Sequence, residues 1–211
     1  MNTLGDGPAE ARALTFTHLA SFGSRNIGNG ALIRGVERVL SEDLGIPVVF
    51  RAEPWDLYSR GAARFDERFV ERVNRECDVL LVAAQVSFDG RSRYGHAGFR
   101  FDLPLELYPQ LERPVIFYGL SHRTWPRQKY HHMDALRRSV GRILESDRIL
   151  FSVRNDGTKE WLESALGYAS ERILVAPDPA VYVPTEHSWH PELEEGKLNV
   201  ILAPNVEDEQ H

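Results

Sequence analysis

The sequence predicts an α/β protein: a Rossmann-like parallel sheet with helices on both faces. Three observations carry this expectation. Short apolar runs alternate with segments of helical period from Leu14 onward, and parallel strands need a crossover between them. Turns rich in Gly, Asn and Asp follow several of the runs, as strand-to-helix connections require. The 211 residues, 42% of them hydrophobic, suffice for one sizeable core but not comfortably for two.

The first strand is expected over Leu14–Ala20. In the turn after it, Gly23, Gly28 and Gly30 flank Asn26 and Asn29, so the backbone can approach a ligand closely and present N–H groups at a helix start. Asn26, Gly28 and Asn29 are therefore candidate substrate-binding residues. The turn is neither a G-x-G-x-x-G fingerprint nor a P-loop, since no lysine follows at the required spacing. A helix over Asn29–Leu44 carries Leu32, Ile33, Val36, Val39 and Leu40 at helical spacing, and Gly45 ends it as a left-handed cap. The second strand follows at Ile46–Phe50.

A helix from about Asp66 to Glu76 leads into a third strand over Val79–Ala84, and Pro114 introduces a fourth at Val115–Tyr118. Between them, Ser87–Asp102 is a long loop rich in Gly, Arg and aromatics. Two readings stand for it. Tyr94, His96 and Phe99 stack on a sugar while Arg91, Arg93 and Arg100 grip its charged groups, or the loop is a mobile lid or partner surface.

After the fourth strand, Arg123, Arg127 and Lys129 lie among His122, His131 and His132 with no acidic residue before Asp134. This local positive patch leaves a strand's carboxyl end, where it either focuses an anionic substrate or is simply a solvated loop. His122 and Arg123 are the substrate-binding candidates in it. A metal site is not expected, because adjacent His131 and His132 point differently and spacing places no third ligand. His132–Glu145 is helical in pattern, with Met133, Leu136, Val140, Ile143 and Leu144 on one side.

Strands are expected again at Ile149–Val153 and Arg172–Ala176. The first of these delivers Arg154 to its carboxyl end, where ligands collect in open α/β sheets. Asn155, Asp156 and Thr158 then supply helix-capping oxygens. A planar guanidinium fork beside a helix N-terminus suits a carboxylate or phosphate, so Arg154 is the principal candidate for an anion clamp.

Composition narrows the function classes. A formal charge of −6 and a pI near 5.8 argue against a general nucleic-acid binder. The single cysteine, Cys77, precludes an internal disulfide and reads as a buried thiol in a reducing compartment. No apolar run approaches bilayer length, and MNTLGDGPAEARA lacks a signal peptide's apolar segment, so a cytoplasmic protein is expected. No G-x-S-x-G nucleophile elbow is present.

Val153-Arg154, Asp156, Thr158, Gly167 and Asp178-Pro179-Ala180 resemble the middle region of the polysaccharide pyruvyltransferases. That region reads strand, V-R-D-x-x-S/T, helix ending in glycine, strand, D-P-A, and here Asn155 separates the arginine from the acid. SFGSRNIGNGALIRGVERVL looks like the family's opening N-x-G-D/N-x-x-L turn, and the similarity runs in order over about residues 14 to 203. Ala83-Ala84-Gln85-Val86-Ser87 departs from it, standing where the family usually has a G-G-G turn.

The resemblance implies one half of a glycosyltransferase-B-like enzyme that transfers pyruvyl from phosphoenolpyruvate to sugar hydroxyls of a cell-surface glycan, an exopolysaccharide or its lipid-linked precursor. It implies no cofactor and is compatible with a homo-oligomer. The expected organisation is a Rossmann-like domain over 1–180, a Pro- and Glu-rich linker over 181–196, and over 197–211 an edge strand or the start of a second domain. On that reading the chain alone is poorly active. A sugar-nucleotide glycosyltransferase-like domain and a non-catalytic binding or assembly domain are the alternatives.

Overall fold

A computed structural model describes residues 12–83, 85–124, 127–184 and Gly196. The strands are β1 (Leu14–Ala20), β2 (Val48–Pro54), β3 (Val79–Ala83), β4 (Val86–Phe88), β5 (Val115–His122), β6 (Ile149–Arg154) and β7 (Ile173–Ala176). The helices are α1 (Ile27–Asp43), α2 (Trp55–Ser59), α3 (Glu67–Glu76), α4 (Met133–Glu145) and α5 (Thr158–Leu166). The sheet runs β2-β1-β3-β5-β6-β7, with β4 paired to the end of β5. Every pairing is parallel, so all the carboxyl ends lie along one edge. The strand order reverses between β1 and β3, and such reversals form the ligand crevice of open α/β sheets.

Local chemistry accounts for the boundaries. The Asn26 side chain accepts from the Gly28 N–H to start α1, and Asp66 accepts from Phe69 N–H to start α3. Gly45 lies at φ +61° just past the α1 cap. All five residues of β3 are buried, which is why VLLVA is apolar without alternation. Strand β5 runs on to His122 because a bulge between Phe117 and Leu120 redirects it and β4 then pairs with its end. Cys77 is buried, and burial raises its thiol pKa.

The sheet's two faces differ. On one, α3, α4 and α5 cover a continuous core in which Phe117 packs against Phe101 and Phe151 at ring separations of 5.4 and 5.5 Å. On the other, α1 covers a small cluster of Phe16, Val36, Val79, Leu81 and Ala83. After β7 a strap, Asp178-Pro179-Ala180, crosses to α1. There a Cβ on Gly35 would stand 1.8 Å from the Pro179 carbonyl oxygen, so only glycine lets the two backbones meet. Arg38 Nη1 donates to the Tyr182 carbonyl at 2.7 Å and pins the strap's end.

Tyr94 and Phe99 of the Ser87–Asp102 segment do not form an exposed sugar platform. Tyr94, Phe99 and Phe101 are buried, with Phe99 against Phe88 and Phe117. Its arginines are engaged as well: Arg91 and Arg100 pair with Asp89, and Arg93 donates to Tyr94 Oη and the Ser59 carbonyl. The segment fills the space between α3 and α4, where its aromatics gain more from burial than from solvent. The expected strand at Asn199–Ala203 lies outside the described residues, as does 181–196 apart from 181–184 and Gly196.

Candidate functional site

The turn after β1 consumes most of its own donors. Asn26 Oδ1 takes the Gly28 N–H at 2.9 Å, and the Ser24 hydroxyl accepts from the Asn26 N–H and from Asn29 Nδ2 at 3.1 and 2.8 Å. Asp56, in α2, accepts from the Gly23 N–H at 3.1 Å. The loop is thus preorganised at the mouth of the crevice, with Ile27 91% exposed beside it.

At the reversal point stands Gln85, a residue the sequence reading marked only as a departure from the family's glycines. It is buried, and its Oε1 accepts from the Ser21 hydroxyl at 3.0 Å, tying the loop after β1 to the end of β3. Its Nε2 is buried without a partner. At the end of β2, Arg72 holds Glu53 through two bonds of 2.6 and 2.9 Å, and Tyr58 Oη donates to the same carboxylate. Burial pushes Glu53 up, but these bonds outweigh it and the pKa is lowered. Glu53 is therefore held as a carboxylate and is a poor proton donor.

Strands β5 and β6 bring His122 and Arg154 to neighbouring ends. Leu120 pairs with Val153, so Ser121–His122 and Arg154 leave the sheet side by side. Val153 belongs to the large core and Arg154, one residue on, turns to the opposite face. There its Nη1 pairs with Asp178 Oδ2 of the strap at 3.0 Å, its side chain only 16% exposed. Its Nε and Nη2 are buried with no hydrogen-bond partner. These two N–H groups form the side-on edge of the guanidinium, the edge that matches a carboxylate or phosphate bidentately.

His122 lies on the large-core side, its ring stacked on Trp161 of α5 at 4.8 Å and 8°. Thr158 Oγ1 accepts from the His122 backbone N–H at 2.9 Å and lies 3.2 Å from Nδ1. Asp156 accepts from Thr158 Oγ1 at 2.5 Å and from Ser121 Oγ at 2.7 Å. Burial lowers the His122 pKa, opposed in part by the Asp156 charge. Arg123 and Lys129 are exposed nearby, and Arg127 adopts φ 71°.

Scale separates two groups of candidates. The β1 turn and Arg154 share the carboxyl edge, but three strand spacings divide β1 from β6, about 14 Å. One small anion cannot touch both. Asn26, Gly28 and Asn29 follow β1, while His122–Arg123 and Arg154 leave the adjacent ends of β5 and β6, His122 and Arg154 on opposite faces of the sheet. Sequence missed the Thr158–His122 link because no local signal joins residues so far apart along the chain, and it missed Gln85 because a lone glutamine carries no motif. Among the described residues, no three His, Cys, Asp or Glu side chains are grouped to hold a metal ion, and no helix is long and apolar enough to cross a membrane.

A family model described as polysaccharide pyruvyl transferase matches residues 26–209. No curated protein matches the chain.

Proposed function

The chain belongs to the polysaccharide pyruvyl transferase family, and we propose that it moves the pyruvyl group of phosphoenolpyruvate onto two hydroxyls of a glycan, at the cell surface or on its lipid-linked precursor, working in the cytoplasm. The reaction balances without a cofactor. C2 of the enol phosphate gains two bonds to sugar oxygens and loses phosphate. Of the two hydroxyl protons, one ends on C3, making the methyl group, and the other on phosphate. Cationic and hydrogen-bonding groups must hold the donor's carboxylate and phosphate while charge moves.

The observation that supports this reading most directly is the unpartnered Nε and Nη2 edge of Arg154 at the carboxyl end of β6. A bidentate anion there satisfies two buried donors, each costly to leave unpaired. Exposed Arg123 adds positive charge at the same end of the crevice. The turn of Asn26, Gly28 and Asn29, about 14 Å away, is then on the acceptor side, where sugars of the glycan beyond the reacting residue meet the amide side chains.

Calorimetry with phosphoenolpyruvate tests the assignment. Arg154→Lys keeps the charge but loses the fork, so affinity should fall by about 10- to 100-fold, the equivalent of about 1.5–3 kcal/mol for charged hydrogen bonds. Folding should change little. Equal binding by wild type, Arg154→Lys and Arg154→Ala removes Arg154 from the site.

A further inference from the structure

The hydrogen-bond valence around Thr158 determines which nitrogen of His122 carries the proton. A threonine hydroxyl has one proton to donate and two lone pairs to accept with. The proton is committed to Asp156 Oδ1 at 2.5 Å. Asp156 Oδ1 also takes the Thr158 backbone N–H at 3.2 Å, and its Oδ2 takes the Ser121 hydroxyl, so the carboxylate acts throughout as an acceptor. One lone pair of Thr158 Oγ1 takes the His122 backbone N–H at 2.9 Å, and the other faces His122 Nδ1 at 3.2 Å. Two lone pairs cannot bond to each other. Nδ1 must therefore hold a hydrogen, and in the neutral ring Nε2 is left with a free lone pair.

Three further features suit that nitrogen to chemistry. Nε2 makes no hydrogen bond among the described residues. The ring is clamped flat against Trp161, so the lone pair has a fixed direction. Burial disfavours the imidazolium, keeping the ring ready to take a proton, while the Asp156 charge behind Thr158 stabilises the cation once it forms. His122 and Arg154 also leave the adjacent ends of β5 and β6, on opposite faces of the sheet.

We propose that His122 is the general base of the transfer, with Thr158 and Asp156 as positioning residues that keep its resting proton on Nδ1. This rests on the pyruvyl-transfer reading above. In the first half of the transfer one hydroxyl adds across C2=C3 and leaves its proton on C3. In the second half the second acceptor O–H bond breaks and its proton goes to Nε2, while the oxygen's freed pair forms the bond to C2 of the pyruvyl unit. The C2–O bond to phosphate breaks with its electrons leaving on phosphate, and the imidazolium returns the proton to that oxygen. His122 is thereby restored to the neutral Nδ1–H form.

Two measurements on the whole chain test this. In long-range 1H–15N spectra near neutral pH, His122 should show the neutral Nδ1–H pattern. Thr158→Val should convert it to the Nε2–H form or a mixture, and Thr158→Ser should restore it. An Nε2–H pattern in wild type overturns the proposal. Diethyl pyrocarbonate should carbethoxylate His122 at Nε2, and saturating phosphoenolpyruvate should slow that modification several-fold in wild type but not in Arg154→Ala. If calorimetry records donor binding and the donor gives no protection, His122 is not beside the donor and the proposal fails while pyruvyl transfer stands. Absence of any donor binding, with the Nδ1–H pattern observed, instead overturns the pyruvyl-transfer reading and the base role built on it.

Discussion

The two faces of the sheet carry different loads. Under α3, α4 and α5 the core is deep and aromatic, with Phe99 and Phe117 fully buried. Under α1 the cluster is small, and beyond it Leu150 and Leu174 stay 47% and 44% exposed. Polar chemistry follows the same division. On the thick side His122 is held by Thr158 through its backbone N–H and Nδ1, whereas on the thin side Arg154 has one carboxylate partner and two buried donors without any. The larger apolar core lies on one face, and the unpartnered guanidinium edge of Arg154 lies on the other.

The strongest way to break this comparison is to cut into each face. Phe117→Ala removes the ring between Phe101 and Phe151 and should cost about 3–5 kcal/mol in denaturant unfolding, as large-to-small core changes do. Gly35→Ala forces a Cβ against the Pro179 carbonyl. Overpacking should cost about 1–3 kcal/mol, and hydrogen exchange should speed up in the 177–184 strap ahead of the rest. An equal or larger cost for Gly35→Ala would mean that the thin face carries as much stability as the thick one.

A smaller effect sharpens the binding half of the contrast. Asp178→Asn removes the charge paired with Arg154 but keeps an oxygen to cap the Ala180 N–H. Asp178 is partly exposed, so the stability loss should be about 1 kcal/mol or less. Phosphoenolpyruvate affinity should rise, because a negative charge no longer competes for the guanidinium. A fall in affinity on calorimetry would show that Asp178 orients the arginine instead of competing for it.

The smallest effect is on pH dependence. With its pKa lowered in the fold, His122 contributes stability that is present above its ordinary value of 6.5 and is lost as pH falls through the folded value. The half-buried ring keeps this contribution small. Replacing it in His122→Gln should flatten the unfolding free energy slightly between neutral and mildly acidic pH. An unchanged profile would place the titration elsewhere.

What the sequence determined by itself is what near neighbours decide. Apolar period marked α1, α3, α4 and the apolar β3, Gly45 marked the end of α1, and the strand–helix alternation called for a parallel sheet, which necessarily puts Arg154 and the β1 turn at one edge. The expected start of α1, Asn29, falls two residues past its first residue, Ile27. The order of motifs around Arg154 and Asp178 was enough to resemble the right family. Tertiary structure decided the rest. The aromatics of Ser87–Asp102 look like a binding loop until a cavity between α3 and α4 is known to need them. Asp178 becomes the partner of Arg154 only because the strap turns back toward α1. His122 and Thr158, 36 residues apart, meet only because β5 and β6 are adjacent. Contacts of that range are set by packing and strand order, which local propensity does not encode.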